Sequence, residues 1–205
     1  MKNIFNKLKN SFLIWTPMVL MVFVTVFAVN KNHEEVEKNY AFEKQLEEES
    51  KQAFLKAYKV FMHPRCVNCH PAGDAPLQGD DSHIHSQNVK RGIDGKGLYA
   101  LKCSNCHQEK NIPGDNMPPG HDIWQLPPAH MKMVFEGKSP RQLAEHFMDN
   151  EFTGFVNWQE DLIHHVEHEP LVLHSWSYGT RPPLSHEEFV ESLKEWIEKG
   201  AALPD

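Results

Sequence analysis

The chain has 205 residues, of which 40% are hydrophobic and 24% charged, and it contains 14 prolines and 11 glycines. This length suits one modest domain and excludes an ordinary multidomain enzyme. The apolar fraction excludes an intrinsically disordered chain, and the moderate proline and glycine content excludes a collagen-like or low-complexity one. We therefore expect a folded protein that is rich in loops.

The N-terminal segment has the layout of an export signal. Three lysines and no acidic residue occupy the first ten positions, and residues 12–29 are apolar apart from two threonines and one proline. This run is just long enough to span a bilayer as a helix. We predict that residues 1–29 are a signal peptide or membrane anchor, either retained as a spanning helix over residues 11–29 or cleaved after about Ala28. The rest of the chain would then lie on the periplasmic side.

The exported part of the chain is acidic. Residues 30–205 contain 28 acidic against 18 basic residues, a formal charge of −10. Binding to nucleic acid needs a field of the opposite sign, so we expect no nucleic-acid partner. An acidic surface suits docking to a basic patch on a partner protein.

We expect residues 30–52 to form a charged helical stalk and residues 53–205 to form the folded domain. The stalk would lead into an amphipathic helix that ends near Met62, before the proline at position 64. The apolar residues of this helix follow the spacing i, i+3, i+4 and i+7, which marks one buried face. They are Phe54, Ala57, Tyr58 and Phe61.

The middle of the chain, residues 65–130, is dominated by Gly, Pro, Asp and Asn and has no sustained period of 2 or 3.6 residues. A loop this long without its own core is unusual, so something other than side-chain packing must organise it. Helices return afterwards, and each has a start signal. These signals are Ser139-Pro140, Asn157 with Glu160, and Ser185 with Glu188. With no strand pattern, the sequence predicts an all-α fold.

Two copies of one motif use all four cysteines of the chain. They are Cys66-Val67-Asn68-Cys69-His70 and Cys103-Ser104-Asn105-Cys106-His107, both of the form C-x-x-C-H. This is the attachment pattern of haem c, in which two thiols form thioethers to one porphyrin and the adjacent His binds the iron. The motifs predict two covalently bound haem c groups, with His70 and His107 as proximal iron ligands. The haems would also supply the missing core of residues 65–130.

Other uses of the cysteines fit less well. A zinc site normally places its C-x-x-C pairs about 15–20 residues apart, and zinc gives no reason for a His after both pairs. Here 33 residues lie between Cys69 and Cys103. Two disulfides are compatible with export, but loops this tight stabilise little, and a thioredoxin-like site needs a βαβ context that the sequence lacks.

The sixth iron ligand has several candidates. Met117 stands in a proline-braced loop, and Met131 and Met133 follow the segment Leu126-Pro127-Pro128. A thioether sulfur is a soft iron ligand, which favours these positions. His83 and His85 lie in the link between the two motifs. His165 shares a helical face with Trp158 and Leu162, so it points inward, either as a ligand or as a hydrogen-bonded core residue.

The chain resembles a known family at this point. A helix leading into C-x-x-C-H, a proline-held Met loop and a last helix ending in Trp196-Ile197 and Gly200-Ala201 are similar to the class I cytochrome c fold, here with an extra haem site. Three short segments resemble bacterial proteins labelled isoquinoline 1-oxidoreductase subunits. They are His63-Pro64-Arg65-Cys66, residues 76–83 (PLQGDDSH) and residues 185–190 (SHEEFV).

The resemblance implies a cytochrome partner of a molybdopterin hydroxylase. We therefore expect an electron carrier and not an enzyme in its own right, passing single electrons between a dehydrogenase or molybdenum hydroxylase and a downstream acceptor. The alternative is a small dihaem peroxidase-like enzyme, which needs one iron with an open sixth position.

Overall fold

The computed structural model describes residues 2–114 and 117–205, with side chains from residue 30 onward. The predicted export segment at residues 1–29 thus lies outside the residues whose side chains are described. Among the described residues, no helix combines the length and the apolar character needed to cross a membrane. Backbone contacts divide the chain into two compact units, Met1–Leu46 and Glu47–Asp205.

The first helix, α1 (Lys2–Phe61), runs through both units. In the first unit its side chains at positions 30–45 are exposed and mostly polar or charged, and His33 lies 3.4 Å from Glu37 one turn away. In the second unit three residues of the predicted apolar face, Phe54, Ala57 and Phe61, are buried, and the fourth, Tyr58, is half-buried. The helix ends as predicted, because Pro64 has no N–H and restricts the residue before it.

Helices are the main regular structure of the second unit, and loops make up most of the rest. Its other helices are α2 (Pro64–Val67), α3 (Pro140–Met148), α4 (Asn150–Thr153), α5 (Trp158–His168), α6 (Pro170–His174) and α7 (His186–Glu198). The start signals at Ser139 and Ser185 are confirmed, and each closes a reciprocal capping box. At the third site Asn157 is the N-cap residue as expected, but the predicted capping box is wrong, because the Asn157 side chain makes no cap hydrogen bond. Asp161 and not Glu160 accepts from the backbone N–H groups at the start of α5.

The expectation of no strands is also wrong. Two antiparallel hairpins interrupt the central loops, β1 (Leu77–Gln78) with β2 (His83–Ile84) and β3 (Gly97–Leu98) with β4 (Leu101–Lys102). Each strand has two residues, which is too short to give a periodic signal in the sequence.

The core lies where α1, α3, α5 and α7 meet. The Phe54 ring lies 4.7 Å from Trp196 of α7 and 6.4 Å from Phe147 of α3, measured between centroids. Phe61 contacts Phe189 at 5.0 Å. A buried Ser50 hydroxyl donates to the Trp196 carbonyl and so ties the first helix to the last. Aromatic pairs of this kind stabilise beyond their buried area.

A leucine pair tests this core. Leu193 is fully buried, whereas Leu173 is 43% exposed. We expect Leu193→Ala to lower the free energy of unfolding by about 2–5 kcal/mol, because it removes buried carbon and leaves a cavity. Urea unfolding of the full chain measures this. Leu173→Ala removes the same atoms from the surface and should cost far less, and an equal cost for both variants would contradict the assigned core.

Candidate functional site

The two C-x-x-C-H motifs form the same helical turn. In each, the N–H groups of the second Cys and of the His donate to the carbonyl of the first Cys. The distances are 3.1 Å from Cys69 and 3.2 Å from His70 to Cys66, and 3.2 Å from Cys106 and 2.9 Å from His107 to Cys103. The first turn begins in α2 and continues past its end at Val67, and the second follows directly from the β3–β4 hairpin. All four thiols are free.

Each motif lines its own cavity with both thiols and the imidazole. The first cavity has about 1090 Å³ of space between atoms and the second about 970 Å³, both counting the open mouth. Pockets for organic ligands are mainly apolar. The first is walled by Phe61, Phe135, Leu162, Val166 and Phe189, and the second by Leu77, Val89, Leu101, Trp124 and Leu126.

The His70 ring is held from two sides. Its Nδ1 lies 2.7 Å from the carbonyl oxygen of Met133, and because a carbonyl only accepts, Nδ1 carries the proton. The Phe135 ring stacks on it at 3.9 Å with an interplanar angle of 9°. The Nε2 atom of His70 therefore keeps a free lone pair. Metal-binding histidines are usually oriented by such a bond from the other ring nitrogen.

His107 has the same arrangement in the second cavity. Its Nδ1 lies 2.6 Å from the carbonyl oxygen of Pro119, and Trp124 stacks on the ring at 4.3 Å and 7°. Gly120 allows the Pro119 loop to lie against residues 108–111, because a Cβ at this position would collide with the backbone. The imidazoles of His70 and His107, which are far apart in sequence, are thus oriented in the same way, each by a carbonyl oxygen and a stacked aromatic ring.

Burial sets the protonation of these groups. It lowers the pKa of His70 to about 4 and lowers that of His107, so both rings are neutral at pH 7. It raises the pKa of Cys66 to about 12 and of Cys69 to about 11. Reactive C-x-x-C thiols have a lowered pKa, so this environment does not suit thioredoxin-like chemistry.

Arg65 stands at the boundary between the two cavities and lines both. Its side chain is only 7% exposed, pairs with Asp80 and lies over the Tyr178 ring at 4.9 Å. Its Nε is buried without a hydrogen-bond partner. The charge lowers the pKa of thiols in the first cavity and of the Tyr178 hydroxyl in the second, against the raising effect of burial. The positive charge of Arg65 therefore acts on titratable groups in both cavities.

A second buried guanidinium lies close by. Arg91 is 1% exposed and donates to the carbonyl oxygens of Pro127 and Gly73. Its Nε also has no partner. Unsatisfied buried donors of a cationic group are costly, so Arg65, which lines both cavities, suits an anionic ligand group there, whereas Arg91 lines neither.

The structure brings some of the distal candidates to the cavities and not others. Met131, Met133 and His165 line the first, and His85 lines the second. Met133 contributes its carbonyl to the proximal His70. His165 lies near enough to His70 for its charge to lower that pKa, in addition to burial. Neither Met117, which is 43% exposed, nor His83, which pairs with Asp81 at the surface, lines a cavity.

Several residues of the site gave no signal in the sequence. Phe135 and Trp124 contact histidines 65 and 17 positions away, and an apolar residue in a loop is ordinary by itself. The accepting groups are backbone carbonyls, which every residue has. A weak signal existed in the two proline-braced loops, and these hold the proximal imidazoles through Pro119 and Met133.

Comparisons with protein-family models, curated proteins and solved structures found no match. Within the described residues, no three His, Cys, Asp or Glu side chains are grouped so as to hold a metal ion. A haem does not require such a group, because its iron takes protein ligands singly. The residues present fit the predicted haem, since each cavity is apolar, contains two thiols and one neutral oriented imidazole, and borders a buried cation.

Gly120 offers a test of how the second imidazole is held. Gly120→Ala would push the Pro119 loop away from residues 108–111, and overpacking of this kind costs about 1–3 kcal/mol. We expect a lower urea midpoint for the full chain. The control is Gly73→Ala, whose new Cβ would meet its nearest neighbour only at 4.0 Å. Equal midpoints for the two variants would show that the close approach at Gly120 is not needed.

Proposed function

We propose that this chain is a dihaem cytochrome c whose function is one-electron transfer. The observation that carries the proposal is the repeated site, in which each C-x-x-C-H motif lines its own apolar cavity and presents a neutral imidazole fixed by a carbonyl and an aromatic ring. The attaching thiols are those of Cys66, Cys69, Cys103 and Cys106, and the proximal imidazoles are those of His70 and His107. Bound haem supplies an iron that takes up and gives back a single electron.

The chain's own residues perform three tasks in this function. The apolar walls exclude water and so keep the medium around each site poorly polarisable, which reduces reorganisation when charge changes. The carbonyl bonds of Met133 and Pro119 keep Nε2 of each imidazole free and correctly aimed. Arg65 places a buried positive charge at both sites.

The cavities are also adjacent, which supports direct exchange between the two sites. They share four lining residues, Arg65, Cys69, Gln125 and Leu126. An electron entering at one site would leave at the other. The acidic exported part suits docking to basic patches on partner proteins, and a periplasmic dehydrogenase or molybdopterin hydroxylase remains our proposed donor. The export segment at residues 1–29 would hold the protein at the membrane.

Haem content tests the assignment of the two motifs. When the full chain is produced with the haem-attachment machinery, we expect its intact mass to include two haems. The Cys66→Ala/Cys69→Ala variant should carry one haem, and so should the Cys103→Ala/Cys106→Ala variant, because each loses one pair of thiols. A wild-type mass without haem would contradict the proposal, and loss of both haems from either variant would contradict independent sites.

The charge of Arg65 generates a second prediction. A nearby positive charge favours the reduced iron, so Arg65→Gln should lower both midpoint potentials in a spectroelectrochemical titration. Asp80→Asn should raise them, because Asp80 pairs with Arg65. Arg65→Lys preserves the charge and should lie closer to the wild type than Arg65→Gln does. Arg141→Gln, at an exposed pair with Glu145, should have no effect. If Arg65→Gln changed only one of the two midpoint potentials, the Arg65 charge would not act on both haem sites.

A further inference from the structure

The ring of His85 lies near the ring of His107 in the second cavity. Their centroids lie 6.4 Å apart at an interplanar angle of 59°, and both residues line this cavity. Imidazole nitrogens bind transition metals at about 2 Å, so each ring centroid lies about 3.2 Å from the metal. Two imidazoles on opposite sides of one ion would thus have centroids about 6.4 Å apart.

This spacing differs from that of imidazoles in direct contact in the same chain. His164 and His168 stack at 4.5 Å, and His121 meets His174 at 5.1 Å. The longer separation leaves room for an atom between the two rings. His85 also has a buried Nδ1 without a hydrogen-bond partner, which is costly unless the ring serves a ligand.

The backbone explains why His85 stands there. It follows β2 directly, and its N–H donates to the Pro76 carbonyl at 3.0 Å, which closes the β1–β2 hairpin. The hairpin is fixed to the first motif, because the Leu77 N–H donates to the Asn68 carbonyl and the Asn68 side chain donates to the Gly79 carbonyl. The turn of the first motif thus positions a side chain of the second site.

We propose that His85 is the sixth ligand of the iron bound at the second motif, opposite His107. This inference rests on the proposed function and adds the axial ligand set of one haem. That iron would then have two imidazole ligands from the protein, so no position is open to small molecules. Such a site suits electron transfer and not catalysis at an open iron. His83, two residues earlier, points to solvent beside Asp81 and is the natural control.

The test uses the full chain with both haems attached, in three variants. In His85→Ala, half of the chain's haem should become high-spin in the ferric state and should bind carbon monoxide when reduced. Added imidazole should restore the low-spin spectrum by filling the vacated position. In His85→Met, a near-infrared charge-transfer band of Met sulfur on iron should appear or gain intensity. His83→Ala should leave every spectrum unchanged.

Three results would overturn this ligand assignment while leaving the cytochrome intact. They are carbon monoxide binding to the second haem of the wild type, a low-spin second haem in His85→Ala without added imidazole, and equal spectral changes in His83→Ala. If the variants fail to fold, carbon monoxide binding to the second haem of the wild type would still overturn the assignment of His85. Absence of haem on Cys103 and Cys106 in the wild-type mass would instead remove the proposed function itself.

Discussion

The hydrogen bond from each of the His70 and His107 imidazoles to a backbone carbonyl is the interaction on which the loop region depends. His70 contacts the Met133 carbonyl through Nδ1, and its own carbonyl accepts from the N–H groups of Phe135 and Glu136. The segment that leads into α3 is thereby fixed on the first motif. His107 fixes the Pro119 loop in the same way. The described parts of residues 65–135 have little regular structure, so these bonds hold the loop side of each cavity, whereas helices supply Phe61, Leu162 and Phe189 to the first.

The helical core and the loops have separate physical origins. Phe54, Phe61 and Trp196 pack by ordinary apolar burial, and this needs nothing beyond the chain itself. The loops instead surround two apolar cavities, which leave apolar surface without packing partners. A porphyrin in each cavity would supply the missing contacts. The proposed cofactors thus account for a stretch that the sequence suggested could not organise itself.

Sequence reasoning succeeded where the signal is local. The end of α1 before Pro64 and the capping boxes at Ser139 and Ser185 depend on residues within one turn, and all three are confirmed. It failed where the determinant is short or distant. The two-residue strands have no period, and the cap of α5 comes from Asp161, one position beyond the expected Glu160.

The residues of the site also divide into those that local sequence indicates and those that only the fold reveals. The six Cys and His residues of the two C-x-x-C-H motifs are recognisable in the sequence, because covalent attachment of haem c would require this spacing. Arg65 and Arg91 do not, since a single arginine in a loop is usually solvated, and only the fold reveals their burial. Among the six distal candidates, the sequence favoured the methionines, because a thioether is a soft ligand, and it could not separate a ligand histidine from a surface one. The ring spacing of His85 and His107 is what separates His85 from His83.

A potentiometric titration of the full chain, isolated with its haems and followed by absorbance, decides whether this protein carries electrons on two haems. We expect two electrons to be taken up per chain in two reversible one-electron steps, with both steps giving the spectrum of a covalently bound haem. A chain that took up no electrons reversibly, or that contained zinc or disulfides in place of haem at its four cysteines, would not be a dihaem electron carrier.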